Sequence, residues 1–146
     1  VSICLRLPSL PVIGEIVTNG LVDSTEFMLQ KSLFDKRLAT QELVAELRRI
    51  NSLPGGRKPV LTIIRNFTSL WRVMRQYVRA RDIGRLEMPI LIVWGAEDKV
   101  IPPKHAYRAA RNNNRVDLHV FSACGHMAQL ERPSEFNRIA LEFLSE

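Results

Sequence analysis

Cysteine is scarce in this chain of 146 residues, and the two cysteines present form no cluster. Cys4 and Cys124 lie far apart, with no CxxC pair and no cysteine–histidine spacing of the kind that binds zinc. This scarcity argues against a disulfide-stabilised scaffold and against a structural metal site. We therefore expect a reduced, cytoplasmic protein that binds no metal and uses no cofactor.

Long apolar runs are also missing. No apolar stretch approaches the roughly 18 residues that cross a bilayer, and the apolar residues 1–20 lack a basic leader and include Pro8 and Pro11. We expect no membrane span, no signal peptide and no membrane partner. The hydrophobic fraction of 46% and the charged fraction of 25% are those of a globular protein, so the chain has enough apolar residues for one moderate core.

Acidic residues are outnumbered by basic ones, which leaves a net charge of +6. Such an excess can indicate a nucleic-acid partner. The arginines are scattered along stretches of helical periodicity, however, and no aromatic residues alternate with them to stack on bases. We favour solvated helix faces and expect no nucleic acid to bind. An arginine-rich nucleic-acid binder is the alternative, and a steep dependence of DNA binding on salt would favour it.

The first part of the chain, residues 1–86, contains only helix and loop signals. A capping signal at Asp23 opens a first helix, and an apolar face predicts a second over residues 41–50. A third and longest helix is predicted over residues 61–79, where a wide apolar stripe keeps helical spacing. This stripe requires a partner surface.

The second part of the chain alternates strand and helix. Residues 89–94 form a short apolar run of the kind found in strands covered on both faces, and residues 117–121 are predicted as a second short strand. Helices are predicted near residues 104–112 and 133–145. The order strand, helix, strand, helix is a βαβ unit with one further helix, so the strands should be parallel. The predicted fold class is therefore α/β.

Two loops that leave the carboxyl ends of these strands carry the candidate reactive groups. Asp98 lies in the first loop and His126 ends the second, and reactive groups gather at this edge of parallel sheets. A carboxylate that accepts from one imidazole nitrogen leaves the other nitrogen free to act as a base. Each residue alone is more often structural. Their order after consecutive strands favours a catalytic pair.

The same loops carry a resemblance to a known superfamily. The sequence PILIVWGAED of residues 89–98 resembles the seventh strand and acid loop of α/β-hydrolases, and DLHVFSACGH of residues 117–126 resembles the eighth strand and histidine loop. MAQLERP of residues 127–133 resembles the start of the last helix. Within the superfamily, HVFS, CGH and AQ are similar to the meta-cleavage-product hydrolases, which cut carbon–carbon bonds in aromatic breakdown.

This resemblance implies an incomplete α/β-hydrolase fold. Residues 1–86 would form its helical lid, and residues 87–146 the C-terminal portion of its core. Asp98 and His126 would be the acid and the base of a nucleophile–His–Asp triad. The implied activity is hydrolysis of an ester or a carbon–carbon bond in a small organic substrate.

Two further polar residues lie beside the proposed pair. Glu97 is the alternative acid, although it falls one position early for the family pattern. Cys124 precedes the Gly–His pair, and a cysteine at this position is common in the families that the chain resembles. We interpret it as a small packing residue rather than as a nucleophile.

The family's nucleophile motif, Gly-x-Ser-x-Gly, does not occur in the sequence. We therefore expect a C-terminal fragment that is inactive alone, whose partner is the missing N-terminal half of the core. Its open apolar surface should favour self-association. Haloalkane dehalogenases and epoxide hydrolases, which share the fold but use an aspartate nucleophile, are the enzymatic alternatives. A non-catalytic interaction module is the other alternative.

Overall fold

The computed structural model describes three parts of the chain: residues 25–54, residue 62 and residues 82–145. Apart from residue 62, the longest predicted helix lies outside the described residues, and so does the capping signal at Asp23. The chain divides into two compact units, and the second includes the segment Lys31–Leu38 as well as Arg79–Glu146. The segment Lys31–Leu38 was not expected in that unit. The predicted lid and core domains themselves stay predictions.

Helix α2 of the first unit spans Gln41–Ser52 and follows α1, Thr25–Ser32. The Oγ1 of Thr40 accepts a hydrogen bond from the backbone N–H of Leu43 at 3.2 Å, which caps the first turn of α2. The helix ends at Ser52, and Leu53 after it is extended because it precedes a proline. The predicted helix over residues 41–50 is confirmed and is two residues longer than predicted.

A parallel pair of strands organises the second unit. Strand β1, Ile90–Gly95, pairs with β2, Val116–Phe121, and helix α3, Lys104–Asn112, connects them. The predicted parallel βαβ unit is confirmed. Gly95 is buried, Asp117 is exposed and the other strand residues are half-buried, whereas the apolar run of residues 89–94 predicted burial on both faces. The reason is that the described sheet has just two strands, so both of its outer edges are open.

The C-terminal helical region is broken in two. Helix α4 spans Ala128–Glu131 and helix α5 spans Pro133–Leu144. The final helix predicted near residues 133–145 is therefore confirmed, and most of the segment 127–133, which resembles the start of the family's last helix, forms a separate short helix before it. Arg132 between them has φ −134° and ψ 53°, because a proline disfavours helical backbone in the residue before it. None of the helices in the described ranges has the length and apolarity to cross a membrane.

A buried asparagine fixes the start of β2. The side chain of Asn113 donates hydrogen bonds to the carbonyl of Ile83 at 2.7 Å and to that of Leu86 at 3.0 Å. Its Oδ1 accepts from the backbone N–H of Arg115 at 2.9 Å. These bonds tie the 3-10 helix Asp82–Arg85 to the strand. They satisfy a polar side chain that would otherwise be costly to bury.

Candidate active site

The loops that follow β1 and β2 meet at one edge of the sheet. The register pairs Gly95 with Phe121, so both strands end at the same level. There the Nδ1 of His126 donates a hydrogen bond to the Oδ2 of Asp98 at 2.8 Å. The structure therefore brings together the two residues that the sequence selected, and the predicted proximity is confirmed.

The carboxylate of Asp98 is buried and held by its own loop. Its side chain is 2% exposed. Oδ1 accepts from the backbone N–H groups of Val100 and Ile101, both at 2.8 Å, in the manner of an Asx turn. One oxygen is thus anchored to the loop while the other faces the imidazole of His126. These hydrogen bonds offset the free-energy cost of burying the charge and fix the orientation of the carboxylate.

The imidazole of His126 is more accessible than its partner, with a side-chain exposure of 34%. A carboxylate can only accept hydrogen bonds, so the hydrogen-bonding network assigns the proton to Nδ1. The lone pair of a neutral ring then lies on Nε2. A ring with this tautomer, oriented by a buried anion, can take a proton at Nε2 and return it.

Trp94 and Gly95 shape the acid loop in different ways. The Nε1 of Trp94 donates to the carbonyl of Ile101 at 3.1 Å across the loop. At Gly95 a Cβ atom would overlap the carbonyl oxygens of Cys124 and Gly125. The two loops therefore approach each other at a distance that only glycine allows at this position.

Glu97 joins the two loops instead of serving the histidine. Its Oε2 accepts from the backbone N–H of Cys124 at 2.9 Å, and its own N–H donates to the carbonyl of Cys124 at 3.0 Å. The alternative assignment of Glu97 as the acid is therefore wrong in geometry. Adjacent residues of a loop point in different directions, and here Asp98 is the one whose carboxylate reaches His126.

Cys124 is fully buried. Burial, together with the neighbouring negative charge of Glu131, raises the pKa of its thiol to about 11. Such a thiol stays protonated at neutral pH and is a poor nucleophile, which supports its interpretation as a packing residue. The preceding residue, Ala123, has φ 51°, a conformation uncommon outside glycine. This strain lies in the turn that delivers the histidine.

Glu131 is the functional candidate that the sequence did not reveal. Its Oε1 accepts from the N–H of Gly125 at 2.6 Å. Its Oε2 accepts from the N–H groups of Phe34 at 2.7 Å and Asp35 at 3.1 Å. Because Phe34 precedes Glu131 by 97 residues, no local spacing indicates this contact.

A second histidine–aspartate pair lies on β2, away from the loops. The Nε2 of His119 and the Oδ2 of Asp117 are 3.0 Å apart, but the two side chains are 38% and 57% exposed. This pair has neither the burial nor the loop position of the first. Within residues 25–54 and 82–145, no group of three or more His, Cys, Asp or Glu side chains could hold a metal ion.

Sequence comparison places most of the chain in one family. Residues 21–133 match the family described as "alpha/beta hydrolase fold". A 2-hydroxy-6-oxononadienedioate/2-hydroxy-6-oxononatrienedioate hydrolase of Comamonas testosteroni is 33% identical over 97% of this chain. Its counterpart in Burkholderia vietnamiensis is 30% identical over 84% of this chain. The chain spans 48% and 41% of the length of these two relatives.

Solved structures agree with this comparison. A meta-cleavage product hydrolase of Pseudomonas fluorescens matches with a TM-score of 0.65 and 28% identity, over 83% of this chain and 44% of that protein. The 2-hydroxy-6-oxo-6-phenylhexa-2,4-dienoate hydrolase of a Rhodococcus species matches with a TM-score of 0.72 over 97% of this chain and 50% of its own. At 19% identity the latter likeness concerns the fold alone.

Proposed function

This chain belongs to the α/β-hydrolase fold family, and from that membership we propose that it is the C-terminal part of a hydrolase whose nucleophile lies outside these residues. The observation that carries the proposal is the 2.8 Å hydrogen bond between His126 and the buried carboxylate of Asp98. Two facts support the placement of the nucleophile elsewhere. The sequence lacks Gly-x-Ser-x-Gly, and the chain spans less than half of its curated relatives.

In the proposed mechanism His126 moves the proton. Its Nε2 takes the proton of the nucleophile's hydroxyl as that oxygen attacks the substrate carbonyl. The same nitrogen then gives the proton to the leaving group as the bond to that group breaks. Water attacks the covalent intermediate in a second half-reaction, which regenerates the nucleophile. His126 again accepts and returns one proton.

Asp98 orients the ring and stabilises its charged form. When Nε2 is protonated, the imidazolium gains the full attraction of a carboxylate 2.8 Å away. The two amides on Oδ1 keep that carboxylate in place throughout the cycle. The carboxylate itself needs to exchange no proton.

For the substrate class we propose a carbon–carbon bond next to a ketone in a small dienoic acid. The relatives named above are hydrolases of such compounds, and the similarity to them covers most of this chain. Ester hydrolysis by the same triad is the second candidate. Dehalogenation and epoxide opening need an aspartate nucleophile and depend on the segment outside this chain.

Residues 1–86 are proposed to form the lid over this site, and the N-terminal half of the core is the proposed partner of residues 87–146. A lone two-stranded sheet with open edges should associate with itself in the absence of that partner. The chain alone should therefore be inactive and prone to self-association. If residues 1–86 bound another protein and no hydrolysis occurred, the interaction-module alternative would replace this proposal.

The test uses the complete hydrolase, meaning this chain joined to the segment that carries the nucleophile. It is assayed with 2-hydroxy-6-oxo-6-phenylhexa-2,4-dienoate and with p-nitrophenyl acetate, beside this chain alone. The proposal expects turnover of at least one substrate by the complete hydrolase and none by the chain alone. Faster cleavage of the dienoate than of the ester supports the carbon–carbon assignment. Turnover of neither substrate, or turnover by the chain alone, contradicts the proposal.

A further inference from the structure

The negative charge of Glu131 is satisfied by backbone amides. Among the described residues it forms no ion pair with a basic side chain. Instead, its two oxygens accept from three N–H groups in two distant segments, those of Gly125, Phe34 and Asp35. Hydrogen bonds to an ionised acceptor are stronger than neutral ones. The side chain therefore acts as a bridge between the histidine loop and the segment Lys31–Leu38.

Glu131 binds the histidine loop at Gly125, one residue before His126. The backbone N–H of His126 itself donates to the carbonyl of Ser32 at 2.6 Å. A Cβ at Gly125 would overlap that carbonyl and would lie 2.8 Å from the backbone nitrogen of Phe34. The loop and the segment Lys31–Leu38 are therefore in direct backbone contact. Glu131 is the side chain that holds both sides of this contact.

We infer that Glu131 is a positioning residue that holds the histidine loop where the ring of His126 meets Asp98. The inference rests on the proposed function, because positioning matters only if His126 reacts. The physical reason is that the hydrogen bond between Asp98 and His126 tolerates little displacement of either side chain. Its 2.8 Å hydrogen bond has a narrow range of productive distance and angle, and displacements of about 1 Å in such a site are costly.

The segment Lys31–Leu38 is itself stiffened where it meets Glu131. Asp35 accepts from the backbone N–H and the guanidinium of Arg37, with the shortest contact at 2.7 Å. Hydrogen bonding to Arg37 lowers the pKa of Asp35 to about 2. A 3-10 turn follows at Lys36–Leu38. Glu131 thus links the histidine loop to a turn that has its own internal hydrogen bonds.

The experiment observes the His126 ring directly by NMR of this chain labelled with ¹⁵N-histidine. In the unaltered protein the Nδ1 proton should be observable and shifted downfield by its bond to Asp98. Glu131→Gln replaces one acceptor oxygen by an NH₂ group, which cannot accept from the amides on that side. We expect the Nδ1 proton to exchange with water about tenfold faster or more, since one bond to a charged acceptor contributes that much.

Glu142→Gln is the matched control, because it removes the same charge from the C-terminal helical region at a side chain that is 61% exposed. It should leave the ring signals of His126 unchanged. A purely structural role for Glu131 would lower the melting temperature of Glu131→Gln without altering the ring signals of the folded molecules. That outcome would overturn the inference.

A variant that fails to fold still leaves the question decidable. In the unaltered chain, the amides of Gly125 and Phe34 must then be protected from hydrogen exchange, as their bonds to Glu131 require. Rapid exchange of both amides would overturn the inference, and protection of both would support it. If Glu131→Gln alters the ring signals while His126→Ala leaves hydrolysis intact in the complete hydrolase, the proposed function fails and the positioning of the loop stands.

Discussion

The backbone at Gly95 passes so close to Gly125 that a Cβ at Gly95 would overlap the carbonyl oxygen of Gly125. This contact sets the distance between the acid loop and the histidine loop. The neighbouring bonds from Ala96 to Phe121, at 2.9 Å, and from Glu97 to Cys124, at 3.0 Å, continue the strand pairing into the loops. The approach of the two loops is therefore part of the sheet geometry.

Gly95→Ala should be strongly destabilising. The added methyl group meets backbone atoms, which cannot turn aside as a side chain would, so we expect a loss of about 1–3 kcal/mol in the free energy of unfolding. Urea unfolding measures this loss. The control is Gly84→Ala, whose Cβ would lie 3.1 Å from the carbonyl of Asn112 and should cost clearly less. Equal stability of the two variants would refute the close approach of the loops.

Asp98→Asn should reverse the tautomer of His126. The amide NH₂ would face Nδ1, which must then accept, so the proton moves to Nε2. In the complete hydrolase the rate should fall roughly 10⁴-fold. Ring ¹⁵N shifts report the tautomer, and steady-state kinetics report the rate. Asp117→Asn is the matched control, since this aspartate also contacts a histidine but is exposed. A similar loss in both variants would count against a special role for Asp98.

Cys124 should resist thiol reagents in the folded protein. In a Cys4→Ser background it is the single thiol, and it is fully buried with a pKa of about 11. At pH 8 only about one molecule in a thousand would carry the thiolate, which is the reactive form. Reaction with Ellman's reagent should be slow until urea unfolds the chain. Rapid labelling without urea would show that the thiol is accessible to the reagent in the folded protein and would contradict the prediction.

The same thiol predicts a change of stability with alkaline pH. Its pKa rises from 9.0 to about 11 on folding, so between these values the folded state binds more protons than the unfolded state. The stability that this group contributes is present below pH 9 and is lost as pH rises towards 11. Urea unfolding between pH 8 and pH 11 measures the loss. Cys124→Ala should flatten this part of the profile, and an unaltered profile would contradict the prediction.

Asn113→Ala should cost about 1–3 kcal/mol, because it removes the hydrogen bonds that this buried side chain donates to two carbonyl groups and the one that it accepts from a backbone N–H. The carbonyls are those of Ile83 and Leu86. Thermal or urea unfolding gives the value. Asn114→Ala is the neighbouring control, at an exposed position where a loss below about 0.5 kcal/mol is expected. If both variants are equally stable, the hydrogen bonds of Asn113 contribute nothing.

The strands, the helix between them and the Asp98–His126 pair could be predicted because each follows from a local pattern. An apolar run with flanking turn residues defines β1, and parallel strands place their loops at one edge whatever the rest of the chain does. The family resemblance then indicated which carboxylate to choose. Burial of β1 on both faces was predicted wrongly, since local pattern does not reveal how many strands complete a sheet.

Contacts between distant segments could not be predicted in the same way. Glu131 appears in the sequence as one more charged residue of a helical motif, and its partner Phe34 lies 97 residues earlier. The role of Glu97 is equally hidden, because the direction of a loop side chain depends on turn geometry. The break at Arg132 was the exception. Pro133 indicates it directly, through its effect on the residue before it.

The central claim is that His126 moves the proton in a triad completed by a nucleophile outside this chain. The most direct test compares His126→Ala with His119→Ala in the complete hydrolase by steady-state kinetics. His126→Ala should lower kcat on the order of 10⁴- to 10⁶-fold with KM little changed, and His119→Ala should leave both nearly unaltered. A kcat for His126→Ala within about tenfold of the unaltered enzyme would contradict the claim, since that corresponds to almost no loss of transition-state stabilisation.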